Sequence, residues 1–277
     1  MRPISIPSFI NNCWQSNLSV LEKVAAIKVN YKNLLKEQPQ VSVVIPAYNE
    51  EANILQTLLS LSSNITHYSV QIIVVNNNSK DATEQLVIAS GVTCVNELKP
   101  GITAARTAGL MAAQGKYILN ADADTIYPKD WIELMITPLE NSNVALCYGR
   151  FAFIPVGSTG RVAYFFYEYI TDIIRLLKRY LKDEAVNVFG FNSAYRKEQG
   201  IAVDAYQHPP GSNEDGYLAL KLRNSGFGKL HQIANIKAMV WTTDRRIQMD
   251  GGFLKAIRQR IKTFFLPSKQ ITIRQDL

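Results

Sequence analysis

The chain has 277 residues and a formal net charge of +7, with 47% hydrophobic and 19% charged residues. This composition is typical of a globular protein with a sizeable core, excludes disorder along the whole chain, and favours an anionic partner such as a phosphate or a membrane surface. The three cysteines and three histidines are too scattered for a His/Cys metal site, which indicates reduced thiols in a cytoplasmic protein.

Residues 1–40 are predicted to form a helical extension in front of the main fold. The stretch SVLEKVAAIKVNYKNLLKE places Val20, Val24 and Ile27 at helical spacing, and this helix should end before Pro39. The first residues, MRPISIPSFINN, lack the apolar run of a secretory signal. No segment reaches about 18 uninterrupted apolar residues, so we expect no transmembrane helix.

Strand and helix patterns alternate between residues 41 and 150. We expect helices to begin after Asn49, at the capping-box pair Asp81 and Glu84, near Thr103 and at Asp130. The predicted strands are the short apolar runs 41–46, 70–75, 92–95, 116–121 and 144–151. This order predicts an α/β fold with a doubly wound, mostly parallel sheet, in which ligands bind at the carboxyl ends of the strands.

The pattern changes after residue 150, where we expect mixed strands and helices. Residues 161–181 resemble a long aromatic and basic helix, 187–198 a strand, turn and strand, and 253–265 a basic amphipathic helix. A polar loop, HPPGSNED, precedes another helix that should end at Gly226. The helix at 161–181 has two interpretations: it packs this half of the protein, or its surface meets an anionic membrane.

Two carboxylates, Asp122 and Asp124, follow the fourth predicted strand in the stretch ILNADADT. Such a pair suits a hard divalent cation that keeps water and takes phosphate oxygens as further ligands. A turn in which the acids accept backbone hydrogen bonds is the alternative, and the strand-end position favours the metal. The sequence has no glycine-rich phosphate loop, and Glu50 and Glu51 would repel a phosphate. The first strand end should therefore face the base or ribose of a nucleotide.

Five segments resemble, in order, the motifs of the family 2 glycosyltransferases. They are VSVVIPAYNEE, IIVVNNNSKDAT, PGITAARTAGLMAAQGKYILNADADT, GFNSAYRKE and NEDGYLALKL, and the resemblance covers roughly residues 41–245. It implies the GT-A nucleotide-sugar fold, with a donor-binding half at 41–150 and an acceptor-binding half at 151–277. It also implies an inverting glycosyltransferase that uses Mg²⁺ or Mn²⁺ and moves a sugar to an acceptor hydroxyl by a single displacement.

The resemblance implies a role for each matching residue. Asp215 would be the catalytic base, Asp124 the principal metal ligand, and Asp122 a contact of the ribose or the metal. Asn192 and Glu214 would place the acceptor. The implied donor-binding residues are Pro46, Ala47, Tyr48, Glu50, Asn76, Asn77, Arg106, Ala121, Asp122, Ala123, Arg245 and Arg246. Without the resemblance, the pattern favours a helix N-cap at Asp215 and an exposed helical arginine at Arg106.

One departure from the family pattern concerns recognition of the base. The family usually has Asp at position 76, where this chain has Asn, which adds a hydrogen-bond donor and leaves the choice of base open. The expected partners are a UDP- or GDP-sugar and a glycan or lipid-linked acceptor, without nucleic acid, at the inner face of the membrane in cell-surface polysaccharide or glycolipid synthesis. Two alternatives stay open: a non-catalytic nucleotide-sugar binding protein, and a related nucleotidyltransferase, for which PAYNEE lacks a basic triphosphate loop.

Overall fold

The computed structural model describes residues 1–36, 38–181 and 183–265. Its helices are α1 (Ser8–Trp14), α2 (Val20–Leu34), α3 (Ile54–Ser62), α4 (Thr83–Ala89), α5 (Ile102–Ala112), α6 (Trp131–Ile136), α7 (Arg161–Leu181), α8 (Lys197–Ala202), α9 (Glu214–Asn224), α10 (Arg245–Met249) and α11 (Phe253–Phe265). Its strands are β1 (Val41–Ala47), β2 (Val70–Asn76), β3 (Thr93–Asn96), β4 (Tyr117–Asn120), β5 (Thr125–Ile126), β6 (Val144–Tyr148), β7 (Phe151–Ile154), β8 (Ser193–Arg196), β9 (Lys229–Gln232) and β10 (Val240–Thr243). Short 3₁₀ turns lie at Thr137–Glu140, Glu184–Asn187 and Ile236–Ala238.

A seven-stranded sheet with the order β3-β2-β1-β4-β8-β6-β9 forms the centre of the fold. Strands β3, β2, β1 and β4 run parallel, β8 is antiparallel to both of its neighbours, and β9 is parallel to β6. Strands β1, β2 and β4 are almost entirely buried, which is why their sequences are continuous apolar runs. The predicted α/β fold with a mostly parallel sheet is confirmed.

Helices cover both faces of this sheet, as its two-sided burial requires. One hydrophobic core, which includes Leu58, joins α2, α3 and α6 to the sheet, and a second core, which includes Leu110, joins α5 and α9 to the other face. Helix α5 lies very close to β1 because Gly109 has no side chain; a β-carbon there would collide with Val44. This packing holds Arg106, on the same helix, in a fixed position against the sheet.

A second sheet of three strands brings a late part of the chain to the acidic pair. Strand β10 lies between β5 and β7, antiparallel to the first and parallel to the second. Thr242 on β10 pairs with Thr125, the residue that directly follows Asp124. The segment after β10, beginning with Asp244 and Arg245, therefore lies beside the loop that carries the acids.

The N-terminal residues are tied to α7 by buried ion pairs. The buried guanidinium of Arg2 bonds both carboxylate oxygens of Asp172 at 2.7 Å and reaches Glu168 at 3.2 Å. Arg161 also donates to Glu168, at 2.8 and 2.9 Å. The predicted helix at 161–181 is confirmed, and both of its acids face the protein interior. Within the described ranges, each helix is too short or too polar to cross a bilayer.

The structure corrects two predicted helix starts. Asn49 does not cap α3, which begins at Ile54; it has a left-handed φ of 52° and accepts a hydrogen bond from the Lys80 amide. Asp81 and Glu84 form no capping box, because Asp81 accepts from the amide of Thr83 instead. Asp81 also accepts from the Glu51 amide at 3.0 Å, so in both cases contacts between neighbouring loops outweigh the local helix signal.

Two strand predictions and one helix also change. The predicted strand 144–151 divides into β6 and β7. The stretch 187–198 contains a single strand, β8, because its first residue closes the 3₁₀ turn Glu184–Asn187, residues 188–192 form no strand and its last two residues begin α8. Helix α1 is not predicted from the sequence, since it is short and has no side-chain cap. The other strands and helices predicted between 41 and 150 are present, with ends shifted by a few residues.

Candidate active site

The candidate site lies where β1, β2 and β4 end. The loop after β4 is held from three sides: the Asp122 amide donates to the Tyr127 hydroxyl at 2.8 Å, the Thr57 hydroxyl donates to the Ala123 carbonyl at 2.8 Å, and the Ala121 amide bonds to β1. These bonds use the backbone of the loop and leave the two carboxylates to other partners. Asp122 is half-buried, and Asp124 is buried.

Arg106 joins the acidic loop to the region around α9. Its guanidinium is only 2% exposed and donates to Asp122 Oδ1 and to the Gly190 carbonyl, both at 3.1 Å. Its Nε lies 3.6 Å from Asp215 Oδ1. The sequence pattern alone favoured an exposed helical arginine, so this burial is a correction. One buried cation thus stands between Asp122 and Asp215.

Asp215 occupies a buried and only partly compensated position. Its side chain is buried, and burial raises its pKa to about 7, although the positive charge of Arg106 acts in the opposite direction. Arg106 cannot outweigh burial, because among the described residues neither its Nε nor Asp215 Oδ1 has a hydrogen-bond partner. A carboxylate with a pKa near neutrality and an unsatisfied oxygen is suited to proton transfer.

Gly190 makes room for this pair of side chains. A β-carbon at position 190 would collide with both the Arg106 guanidinium and the Asp215 carboxylate. The carbonyl of Gly190 accepts from Arg106, and its backbone hydrogen-bonds to Asp215, which favours the charged carboxylate. Glycine at this position therefore allows the arginine and the acid to approach the same backbone segment.

A second charged cluster surrounds Asp124. Arg245 Nη2 lies 3.1 Å from Asp124 Oδ2 and 2.5 Å from Glu50 Oε1, and its Nη1 donates to Glu50 Oε2 at 3.2 Å. Burial raises the pKa of Asp124 to about 6, and the nearby charges of Asp122 and Glu50 add to this effect while Arg245 opposes it. The carboxylates at this edge repel one another and are held together by cations.

The acidic pair fits one kind of metal site. In the described part of the chain no group of three or more His, Cys, Asp or Glu side chains could hold a metal ion by itself. Asp122 and Asp124 supply hard oxygen ligands, and the raised pKa of Asp124 marks a carboxylate that gains from a further positive charge. The donor set therefore fits a divalent cation that completes its coordination shell with water and phosphate oxygens.

The surface at the end of β1 combines one exposed aromatic side chain with small buried residues. Tyr48 is 48% exposed, whereas Ala47 and Ala121 are buried and Pro46 is half-buried. The Glu50 amide donates to the Thr83 hydroxyl, which fixes the direction of this loop. An exposed aromatic ring beside buried small residues suits the flat face of a nucleoside.

The two asparagines at the end of β2, Asn76 and Asn77, already have partners. Asn76 donates to Asn96 Oδ1 at 2.8 Å and accepts from the Ser79 amide. Asn77 donates to two carbonyls in the 97–99 loop and accepts from the Gly101 amide at 2.8 Å. Both side chains hold loops together at this edge, and their contact with a ligand stays a prediction.

The two residues predicted to bind the acceptor differ in environment. Asn192 is buried; its Oδ1 accepts from the Trp131 indole at 2.8 Å and its Nδ2 donates to the Arg150 carbonyl at 2.8 Å. These bonds indicate that Asn192 supports the turn before β8. Glu214 is half-buried at the start of α9, next to Asp215, and Arg246 is exposed at the start of α10.

One residue that supports this site, Asp244, was not identified from the sequence. Asp244 is fully buried and accepts from the Tyr164 hydroxyl at 2.7 Å, from the Val156 amide and from Gln248. It directly precedes Arg245 and so anchors the arginine. The only sequence signal was its place in WTTDRR, where an acid between a strand and two arginines resembles an ordinary helix start.

Comparison with known proteins agrees with this geometry. Residues 42–199 match the family model described as glycosyl transferase family 2. The Escherichia coli UDP-Glc:alpha-D-GlcNAc-diphosphoundecaprenol beta-1,3-glucosyltransferase WfgD is 27% identical over 118 residues, which cover 41% of this chain and 46% of that protein. The chain spans less than half the length of the curated relatives it matches.

Two solved structures share the fold. Glucosyl-3-phosphoglycerate synthase from Mycobacterium tuberculosis, in complex with Mn²⁺, UDP-glucose and phosphoglyceric acid, has a TM-score of 0.54 and 22% identity, with 91% of this chain and 86% of that chain covered. The mannosyltransferase PcManGT from Pyrobaculum calidifontis, in complex with GDP-Man and Mn²⁺, has a TM-score of 0.57 and 19% identity, with 92% and 79% covered. Both likenesses extend over nearly the whole chain.

Proposed function

Because this chain belongs to glycosyltransferase family 2 and has the GT-A fold, we propose that it is an enzyme that transfers a sugar from a nucleoside diphosphate to an acceptor hydroxyl. The observation that carries the proposal is the position of Asp215. A buried carboxylate with a pKa of about 7 lies against Arg106, which also bonds the acidic loop after β4. Arg106 thus contacts both Asp122, on the proposed donor side, and Asp215, on the proposed acceptor side.

The donor is proposed to bind across residues 41–150. Tyr48 and the small residues Pro46, Ala47, Ala121 and Ala123 would enclose the nucleoside, with Asn76 and Asn77 at the base. The two negative charges of the diphosphate would lie toward Asp124, where Arg245 and Arg246 supply positive charge. Support comes from the 3.1 Å contact between Arg245 and Asp124, which places a cation at this edge.

The reaction is proposed as a single displacement that inverts the anomeric carbon. Asp215 in its charged form would accept the proton of the acceptor hydroxyl as the oxygen attacks, and the bond to the diphosphate would break on the opposite side. Arg106 would hold Asp215 and Asp122 in fixed relative positions, because it contacts both. Glu214, beside Asp215 on α9, would orient the acceptor in the half formed by residues 151–277.

A divalent cation, Mg²⁺ or Mn²⁺, is proposed at Asp124 and Asp122. When bound there it would offset the negative charge of the leaving diphosphate. The chain's own contribution to leaving-group departure is Arg245, whose guanidinium is positioned by Glu50 at 2.5 Å. Support for the cation comes from the two carboxylates and from the Mn²⁺ complexes of the two solved structures that share the fold.

The acceptor is proposed to be a glycan or a lipid-linked glycan at the inner face of the membrane. The name of the E. coli relative describes alpha-D-GlcNAc-diphosphoundecaprenol, a sugar linked to a lipid diphosphate, as its acceptor. A peripheral enzyme in cell-surface polysaccharide or glycolipid synthesis would meet such an acceptor at the membrane surface. This assignment rests on the family and on that relative.

The proposal is tested with Asp215→Asn and a panel of UDP-, GDP- and dTDP-sugars, with and without Mn²⁺. Calorimetry should show metal-dependent donor binding by the wild type and the variant, whereas transfer or slow hydrolysis of the donor should be lost in the variant only. Asp250→Asn, at an exposed position, is the matched control. If the wild type binds a donor but neither transfers nor hydrolyses it under any metal condition, the chain is a nucleotide-sugar binding protein.

A further inference from the structure

The outer face of α7 is an exposed apolar surface that runs the length of the helix. Its members are Val162, Phe166, Ile170, Ile173, Leu176, Leu177, Tyr180 and Leu181, each between 40% and 77% exposed. They recur at intervals of three and four residues and so share one side of the helix. At 1.5 Å per residue, this 21-residue helix extends for about 30 Å.

The two acidic residues of α7 point the other way. Glu168 is almost fully buried against Arg161 and Arg2, and Asp172 binds Arg2 and Arg150. A helix that faced only water would place its charges outward and its apolar residues inward. In α7 both acids are used inside the protein, so the outer face carries an apolar band without a carboxylate.

Basic side chains border this band. Arg179 is exposed near the end of α7, where it pairs with Glu184. Helix α11 packs against α7 through Phe253, whose ring centroid lies 5.2 Å from that of Tyr164, and it exposes Lys255 and Arg258. Leu254 on α11 is also exposed, so the apolar and basic character continues from one helix to the next.

We propose that α7 and the start of α11 form a surface that docks onto an anionic lipid bilayer. The apolar band would enter the boundary between headgroups and acyl chains, to a depth of about 5–10 Å, while Arg179, Lys255 and Arg258 contact anionic headgroups. Charge complementarity favours a bilayer over a second copy of the chain. Two copies paired through α7 would bring like charges together, and the outer face of α7 has no acid to pair with them.

The docked orientation would connect the membrane to the candidate active site. Tyr164, on the inner side of α7, donates to Asp244, which directly precedes Arg245. Helix α7 thus carries the proposed lipid-binding surface on its outer side, and on its inner side it bonds the residue that precedes Arg245. This inference deepens the proposed lipid-linked acceptor, and vesicle binding can be measured without any transfer reaction.

The test uses the full chain and vesicles of phosphatidylcholine with and without phosphatidylglycerol. Flotation should recover the wild type with anionic vesicles and much less with neutral vesicles or at high salt. Phe166→Asp and Ile173→Asp should each weaken binding at least about tenfold, because a carboxylate replaces apolar contact with lipid. Ile88→Asp, on α4 and 60% exposed, is the matched control and should bind like the wild type. Thermal melting checks that each variant is folded.

A second measurement does not depend on a loss of binding. Measured as the difference from the wild type, which contains Trp14, Trp131 and Trp241, the added indole of Phe166→Trp should shift its emission to shorter wavelength on anionic vesicles and be quenched by brominated lipids. The inference is overturned if the wild type ignores anionic vesicles, or if Ile173→Asp binds them normally. It is also overturned if the α7 variants convert a dimer to a monomer without changing vesicle binding, since the face would then join two copies.

Discussion

The Tyr164 hydroxyl donates a 2.7 Å hydrogen bond to the Asp244 carboxylate inside the protein. Asp244 is fully buried and also accepts from the Val156 amide and from Gln248 Nε2, so one acid binds α7, the loop after β7 and α10 together. Arg245 extends from this anchor to Asp124 and Glu50. The position of the arginine at the candidate site therefore depends on a tyrosine that does not reach the site itself.

Tyr164→Phe should test this dependence. The change removes one of three hydrogen bonds to a buried carboxylate, which should lower the free energy of unfolding by about 1–3 kcal/mol. Transfer should fall because Arg245 is less well fixed. Urea denaturation and the KM for the donor are the measurements. Tyr180→Phe, at an exposed position on the same helix, should change neither, and equal effects in both variants would contradict the anchoring role.

Gly190→Ala should disrupt the pair formed by Arg106 and Asp215. The added β-carbon would collide with both side chains, so one must move, at a cost of about 1–3 kcal/mol in stability. We expect transfer to fall by at least about 100-fold, because a small displacement of the proposed base, Asp215, lowers the reaction rate far more than the loss of stability does. Gly160→Ala is the matched control, since a β-carbon there has nothing within 4 Å. A fully active Gly190→Ala variant would rule out the proposed geometry.

The pH dependence of transfer should follow Asp215. A base must be deprotonated to accept a proton, and burial raises the pKa of Asp215 to about 7, so kcat/KM should fall as the pH drops below about 7. A profile that stays flat down to about pH 5, where an ordinary Asp would still be charged, would exclude Asp215 as the base.

The pH dependence of stability should also follow Asp215, but in the opposite direction to activity: stability should fall as the pH rises. The folded pKa of Asp215 lies above its unfolded value, so the folded state binds the extra proton between about pH 4 and 7. Its contribution to stability is therefore present at low pH and is lost as the pH rises through about 7. The free energy of unfolding of the wild type, relative to Asp215→Asn, should decrease between about pH 5 and pH 8. No change across this range would contradict the raised pKa.

Arg245→Ala should make the metal-free protein less stable and its stability more responsive to metal. Without the guanidinium, Glu50 and Asp124 repel each other with less compensation, so the melting temperature in metal-free buffer should fall. Mn²⁺ should then raise the melting temperature more than in the wild type, because the cation relieves this repulsion. Thermal shift with increasing Mn²⁺ is the measurement. Arg246→Ala, exposed and next in sequence, is the comparison, and identical metal responses in all three proteins would contradict the role of Arg245.

The parts of the fold that the sequence predicted correctly are those specified locally. Buried apolar runs identified β1, β2 and β4, and the aromatic and basic pattern identified α7 with its observed bounds. The acidic pair was placed at a strand end because the alternation of strands and helices fixes that edge. Asn49 was misinterpreted because its partner, the Lys80 amide, belongs to a neighbouring loop that local patterns do not reveal.

The candidate site was predictable in its acids and less so in its contacts. The family resemblance pointed to Arg106 and Asp215, but their meeting beside Gly190 depends on how the turn before β8 packs against α5. Asn192 is bonded to Trp131 and the Arg150 carbonyl, and its expected contact with the acceptor stays a prediction. Such contacts join distant parts of the chain, and no spacing rule in the sequence encodes them.

The place of β10 between β5 and β7 has a consequence for how the protein is made. The strands that carry the acidic pair leave the ribosome early, whereas Arg245 contacts Glu50 from 195 positions further along the chain. A nascent chain can pair β1, β2 and β4, but Thr243 at the end of β10 and Arg245 just beyond it, which both bond Asp124, emerge much later. Under the proposed function, competence to bind a charged donor would therefore be acquired late in translation, and a chain interrupted before residue 240 would contain the acids without Arg245.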